Sequence, residues 1–123
     1  MQNHLLEIFY NGSIDLAREA GMKIHPSYID DVLYVRLEGE LDEHNASLAR
    51  AQADRLIEKY VSASRAIFDL KSVSFMDSTG IGFLIGRYKK FSRYGIPVYV
   101  TNPTLSTDKI LQMSGLYTLM PKV

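Results

Sequence analysis

The chain has 123 residues, 46% of them hydrophobic and 23% charged, with 14 basic against 14 acidic side chains. That length suits one domain with a core of useful size, and zero net charge excludes the basic footprint of a bulk nucleic-acid binder. The absence of cysteine excludes a disulfide framework, a thiolate metal site and a cysteine nucleophile.

Residues 1–21 read as an N-terminal extension in which Asn11-Gly12 between two apolar runs is a hairpin signal, while Ser13 is also a fair cap for Ile14 to Ala20; two short helical pieces are the favoured reading. Glu7, Asp15 and Glu19 and the lack of a basic n-region before an apolar core exclude a signal peptide. Met22 to Ile29 is a weak strand whose Pro26 suits a sheet edge. Asp30-Asp31 makes a turn into a stronger strand, Val32 to Glu38, with Leu33, Val35 and Leu37 on one side. Asp42 to Ala63 reads as a helix capped by Asp42 or Asn45, with Ala49, Ala53, Leu56 and Tyr60 as its apolar face. Ala66 to Leu70 is a short, mostly apolar run suited to a buried strand.

A second helix starts near Asp77 and stops at Gly95, with Ile81, Leu84, Tyr88 and Phe91 as its stripe. Ile96 to Val100 is a strand inside the longest uncharged run, Tyr94 to Thr107. That run holds two prolines and is too short to span a bilayer. Asn102-Pro103-Thr104 opens a third helix that ends at Gly115. Leu116 to Met120 is predicted as a last strand, stopped by Pro121. The order β-β-α-β-α-β-α-β implies a mainly parallel α/β sheet with right-handed crossovers. Function in such sheets sits in loops at the carboxyl ends of strands, here Gly39 to Asn45 and Lys71 to Gly80. A single intracellular domain follows, with no membrane and no nucleic-acid partner.

Few motifs carry chemistry. His4, His25 and His44 share no metal-ligand spacing. Gly80, Gly82 and Gly86 miss the dinucleotide fingerprint at Ile85, and no Walker loop exists. Ser78 stands at a strand–turn–helix junction, but a nucleophile elbow would need glycine at Met76. An esterase would have only His44 as its base. Asp77 or Ser78 serves as a helix cap. At about 100° per residue, Ser78, Gly82, Gly86 and Lys89 fall on one line beside the apolar stripe. Two glycines inside a helix cost roughly 1 kcal/mol each against alanine. A bare flank beside a hydroxyl admits another backbone, either a neighbouring element or a partner. Arg87, Lys89, Lys90 and Arg93 form a basic cluster of the kind favoured at a helix C-terminus.

The run FDLKSVSFMDSTGIGFLIGRYKK closely resembles the signature of the STAS-domain anti-sigma factor antagonists. RLEGELDEHNA and KILQMSGL are similar to two further segments of that family, and the resemblance runs from Met22 to Met120. GELD followed closely by His, and GRYK, resemble the sporulation branch. The resemblance implies a STAS-type fold, a small mixed and mainly parallel sheet with helices on one side. It also implies a non-enzymatic module without cofactor or metal. In its unphosphorylated form it would bind an anti-sigma factor that is also a serine kinase, releasing a sigma factor. It would be switched off by phosphorylation of Ser78 and reset by a metal-dependent serine phosphatase. Carried onto this chain, Asp42, His44, Asp77, Thr79, Gly80, Gly82 and Gly86 form the partner surface, with Asp77 placing the serine. The alternative is a scaffold STAS protein in a larger stress-signalling or lipid-transport complex. Two departures are the extension before residue 22 and the stop at Pro121-Lys122-Val123, where the family continues into a final helix. Leu5, Ile8, Phe9 and Leu16 are expected to cover the surface that helix would cover.

Overall fold

The structure, a computed structural model, describes residues 22–123, so the expected helical pieces before Met22 lie outside the described residues. Strand β1 (Met22–Ile29) turns through Asp30 and Asp31 into β2 (Val32–Leu41). Both turn residues have positive φ, 52° and 64°, the backbone that matches the twist of a two-residue hairpin. Helix α1 (Ala46–Lys59), β3 (Arg65–Met76), α2 (Ser78–Ser92), β4 (Val98–Thr101), α3 (Leu105–Ser114) and the short α4 (Leu116–Leu119) follow.

The sheet order is β1-β2-β3-β4, with β1 antiparallel to β2 and both other pairs parallel. The mixed, mainly parallel sheet agrees with the sequence expectation. Pro26 sits on the edge strand β1, opposite Val35, where its missing N–H costs no interior ladder bond. Successive right-handed crossovers in one direction along the sheet place their helices on one face. Leu33, Val35 and Leu37 of β2, Ala66, Phe68 and Leu70 of β3, and Val98 and Val100 of β4 form the sheet side of the core cluster. Ala49, Ala53, Ile57, Phe83, Leu84, Phe91 and Leu111 supply the helix side.

Three expectations change. The segment 116–120 is not a strand: α4 occupies Leu116–Leu119. Strand pairing resumes only after Pro121, where Lys122 bridges Val100 in parallel and Val123 N–H donates to the Val100 carbonyl at 2.9 Å. Gly115, with φ of 77°, ends α3 and donates its N–H to the Leu111 and Gln112 carbonyls, a left-handed cap that suits glycine. Second, β3 runs on to Met76, so most of the expected Lys71–Gly80 loop is strand. Its polar residues alternate outward, and two register shifts against β2 break the pattern. Third, β2 continues to Leu41 and α1 begins only at Ala46, with Asn45 at the cap position but making no side-chain cap bond.

Candidate functional site

The site lies at the carboxyl ends of β2 and β3. Leu41 pairs with Met76, so the next residues, Asp42 and Asp77, leave adjacent strands at the same height. Each carboxylate folds back onto amides of its own chain. Asp42 Oδ1 accepts from the N–H of His44 (3.0 Å) and Asn45 (3.1 Å). Asp77 Oδ1 accepts from the N–H of Thr79 (2.9 Å) and Gly80 (3.3 Å). Asp77 is therefore the N-cap of α2, satisfying two of the donors a helix start leaves open. Ser78 is the first helical residue. It is exposed, and its hydroxyl has no hydrogen-bond partner among the described residues.

Gly80 locks the two loops together. A Cβ built there would stand 2.5 Å from the Leu41 carbonyl oxygen and 2.6 Å from Met76 Cγ, so only glycine lets α2 approach β2 this closely. Gly80 is buried. It belongs to the packing beneath the site rather than to the partner surface on which the sequence placed it. Gly82 and Gly86 are the opposite case: a Cβ at either would meet nothing within 4 Å. The flank running on from Ser78 is therefore open, and no described element packs on it. Lys89, at the far end of the same line, is exposed.

Asp42 and Thr79 are half-buried and His44 is exposed. Thus Asp42, His44, Asp77, Ser78 and Thr79 are gathered beyond the carboxyl ends of the two inner strands, with Gly82 and Gly86 leading away along α2. No hydrogen bond joins His44 to Ser78 among the described residues. Among the described residues no three metal-ligating side chains cluster. His25 stands away from the site on β1, 2.8 Å from Glu38.

Two features escaped the sequence. Asn45 is buried (1% exposed), and its amide donates to the Glu40 carbonyl at 2.8 Å, bracing the loop that carries Asp42. Its position before α1 made it legible only as a cap. Arg87, read as part of a basic cluster favoured near a helix C-terminus, is buried between α1 and α2 (6% exposed). Its Nε lies 2.9 Å from Asp54 Oδ1, at an angle short of a hydrogen bond, and its guanidinium stacks over Phe83 at 5.2 Å. Burial, only partly offset by Asp54, holds its pKa below the ordinary arginine value. Lys90 also ties the helices together, reaching Glu58 at 2.9 Å.

A family model described as the STAS domain matches residues 24–123. The chain belongs to the STAS domain family. It is 36% identical over 100 residues to an anti-sigma F factor antagonist of Paenibacillus polymyxa, an alignment covering 81% of this chain and 85% of that protein. The structure of the anti-sigma factor antagonist SpoIIAA in its unphosphorylated form is similar at a TM-score of 0.68 and 27% identity, covering 82% of this chain and 88% of that one. The phosphorylated form of SpoIIAA, a Bacillus cell-fate determinant, is similar at 0.61 and 27% identity, over 83% and 90% of the two chains. Among the described residues of this STAS domain, no helix is long and apolar enough to cross a membrane.

Proposed function

We propose that this STAS domain is an anti-sigma factor antagonist of the sporulation type. Unphosphorylated, it binds an anti-sigma factor that is also a serine kinase and so frees a sigma factor. Phosphorylation of Ser78 ends the binding, and a metal-dependent serine phosphatase restores it. The observation that carries this reading is the position of Ser78: an exposed hydroxyl, without a hydrogen-bond partner among the described residues, at the first residue of α2, opening onto the bare Gly82–Gly86 flank. The chain acts as a cytoplasmic binding module, and the chemistry of transfer belongs to the kinase.

The electrostatics favour a switch over an unfolding event. A phosphate adds about −1.5 to −2 charge at pH 7. It would sit at a helix N-terminus, which tolerates anions, so α2 stays formed. The new charge stands beside Asp77 and Asp42, and its bulk fills the approach to the glycine flank. A partner packed closely there meets like charge and a steric block together. Relatives named as anti-sigma factor antagonists, and a similar protein known in both phosphorylation states, support the reading.

The test is the affinity of the unphosphorylated and phosphorylated chains for the cognate anti-sigma factor. Phosphorylation is expected to weaken binding at least about 100-fold, since like-charge contact at an interface costs several kcal/mol. Equal affinities would end the proposal.

A further inference from the structure

The outer edge of β4 is only partly filled. Ala66 N–H donates to the Pro97 carbonyl at 3.0 Å. In the parallel pairing with β3, the alternate residues Val98 and Val100 therefore turn their N–H and C=O to the other side. Val100 is served there by residues 121–123. Its N–H donates to the Pro121 carbonyl at 3.0 Å, and its carbonyl accepts from Val123 N–H at 2.9 Å. One step back the ladder stops. In this register the N–H that would reach the Val98 carbonyl belongs to residue 121, and proline has none. No described residue bonds either backbone group of Val98 on this side, although Val98 is only 1% exposed. Buried backbone groups are nearly always paired, so these two call for a partner.

Val98 also lines a groove of about 390 Å³ between the end of α2, β4 and α4. Tyr88 and Ser92 of α2, Tyr99 of β4, and Leu119 and Pro121 line it as well, and no acidic side chain does. Its size falls within the roughly 300–1,000 Å³ of sites that take compact ligands. Lys89 and Arg93, next in sequence to Tyr88 and Ser92, are exposed. Lys122, beside Pro121, is held by Asp108 at 3.0 Å.

We propose that this groove binds a short extended peptide of a partner protein. The peptide places an apolar side chain in the groove and an acidic one beside Lys89 and Arg93, and its backbone bonds to Val98. An extended strand is the ligand whose own N–H and C=O match the two groups of Val98. A helix bonds its backbone internally and would leave both unpaired. The basic rim selects an acidic segment. It also disfavours a second copy of this chain, because a symmetric pair sets the same patch against itself and like charges would meet. Ser92 ends the helix that Ser78 starts, roughly 21 Å away at a helix's rise, so the inference is independent of the role of Ser78.

A random heptapeptide library displayed on phage tests it. Selection runs on the unmodified protein, with Ser92→Trp, which fills the groove from an exposed position, as the counter-target. The expected peptides combine apolar residues with at least one Asp or Glu. One such peptide, synthesised alone, should slow solvent exchange of the Val98 amide at least about tenfold, as a new hydrogen bond there requires. Arg93→Glu should weaken its binding about tenfold, and added salt should weaken it too. The Val98 readout uses the unmodified chain, so it stands whether or not Ser92→Trp folds. Three results would overturn the proposal. One is no enrichment, or equal enrichment on Ser92→Trp. A second is a bound peptide that leaves Val98 exchange unchanged. The third is Val98 exchange that slows with protein concentration in the absence of peptide, which would assign the edge to a second copy.

Discussion

At Gly80, helix α2 presses so closely on β2 that a single added carbon would stand 2.5 Å from a backbone oxygen. Further along the same helix, at Gly82 and Gly86, the added carbon would meet nothing within 4 Å. One residue type thus serves two opposite purposes within two turns. On the inner side, glycine allows contact and fixes the height of Ser78 against the sheet. On the flank, glycine leaves contact unmade, at a cost in helix stability, and keeps a surface clear. Arg87 sharpens the contrast. It belongs to the inner side and is buried against Asp54 and Phe83, whereas Lys89 on the flank faces solvent.

The largest expected effect comes from closing the tight contact. Gly80→Ala should lower stability by about 3 kcal/mol, the upper end for overpacking a site, because the obstructing atom is backbone. Urea denaturation measures it, and an unchanged midpoint would mean that α2 is free to shift. Next is Asp54→Ala, which strands the Arg87 guanidinium and should cost about 2 kcal/mol. Arg87→Met, which removes the charge but keeps the bulk, should cost much less. If the two variants lose equal stability, the pair is not acting through burial.

Gly82→Ala and Gly86→Ala should move the other way. Each is expected to stabilise the fold by up to about 1 kcal/mol while weakening the anti-sigma factor complex about tenfold, so that thermal midpoint and affinity change in opposite senses. A gain in stability with no loss of affinity would return the flank to solvent.

The smallest effect lies outside α2 and serves as a control. Hydrogen bonds from the Tyr117 hydroxyl (2.6 Å) and the Lys122 ammonium (3.0 Å) hold the Asp108 carboxyl below its ordinary pKa. A carboxylate lowered in the folded state stabilises above its unfolded pKa, near 4, and that contribution fades as pH falls through the lower folded value. Asp108→Asn should flatten the acid limb of the stability profile and leave partner binding untouched.

Much of this architecture was legible because its signals are local. The Asp30-Asp31 turn, the start of α3 after Asn102-Pro103-Thr104 and the Gly115 terminus each depend on a few consecutive residues, and each is where the pattern put it; of the two caps the pattern offered for α2, Asp77 and Ser78, Asp77 is the one used. The Gly82–Gly86 line followed from helical spacing, whereas spacing left open whether a neighbouring element packs on it, and among the described residues none does. What was not legible depends on distant neighbours. The burial of Arg87 is set by Asp54 on another helix, and the packing role of Gly80 by a carbonyl of β2. The extension of β3 to Met76 was hidden by Lys71, Ser72 and Ser74, whose polarity reads as loop until the outward face of a sheet is known. Leu116 to Met120 is too short for its periodicity to separate helix from strand. Gly115 had already marked the chain's change of direction there, but not what followed it.

The central claim is that Ser78 is the switch. Intact mass should be measured after incubation with ATP and the cognate anti-sigma kinase, with Ser78→Ala in parallel. The native chain should gain one phosphate and the variant none, and the variant should still bind the kinase. Phosphate on the Ser78→Ala chain, or a native chain that binds the kinase yet gains no mass, would contradict it.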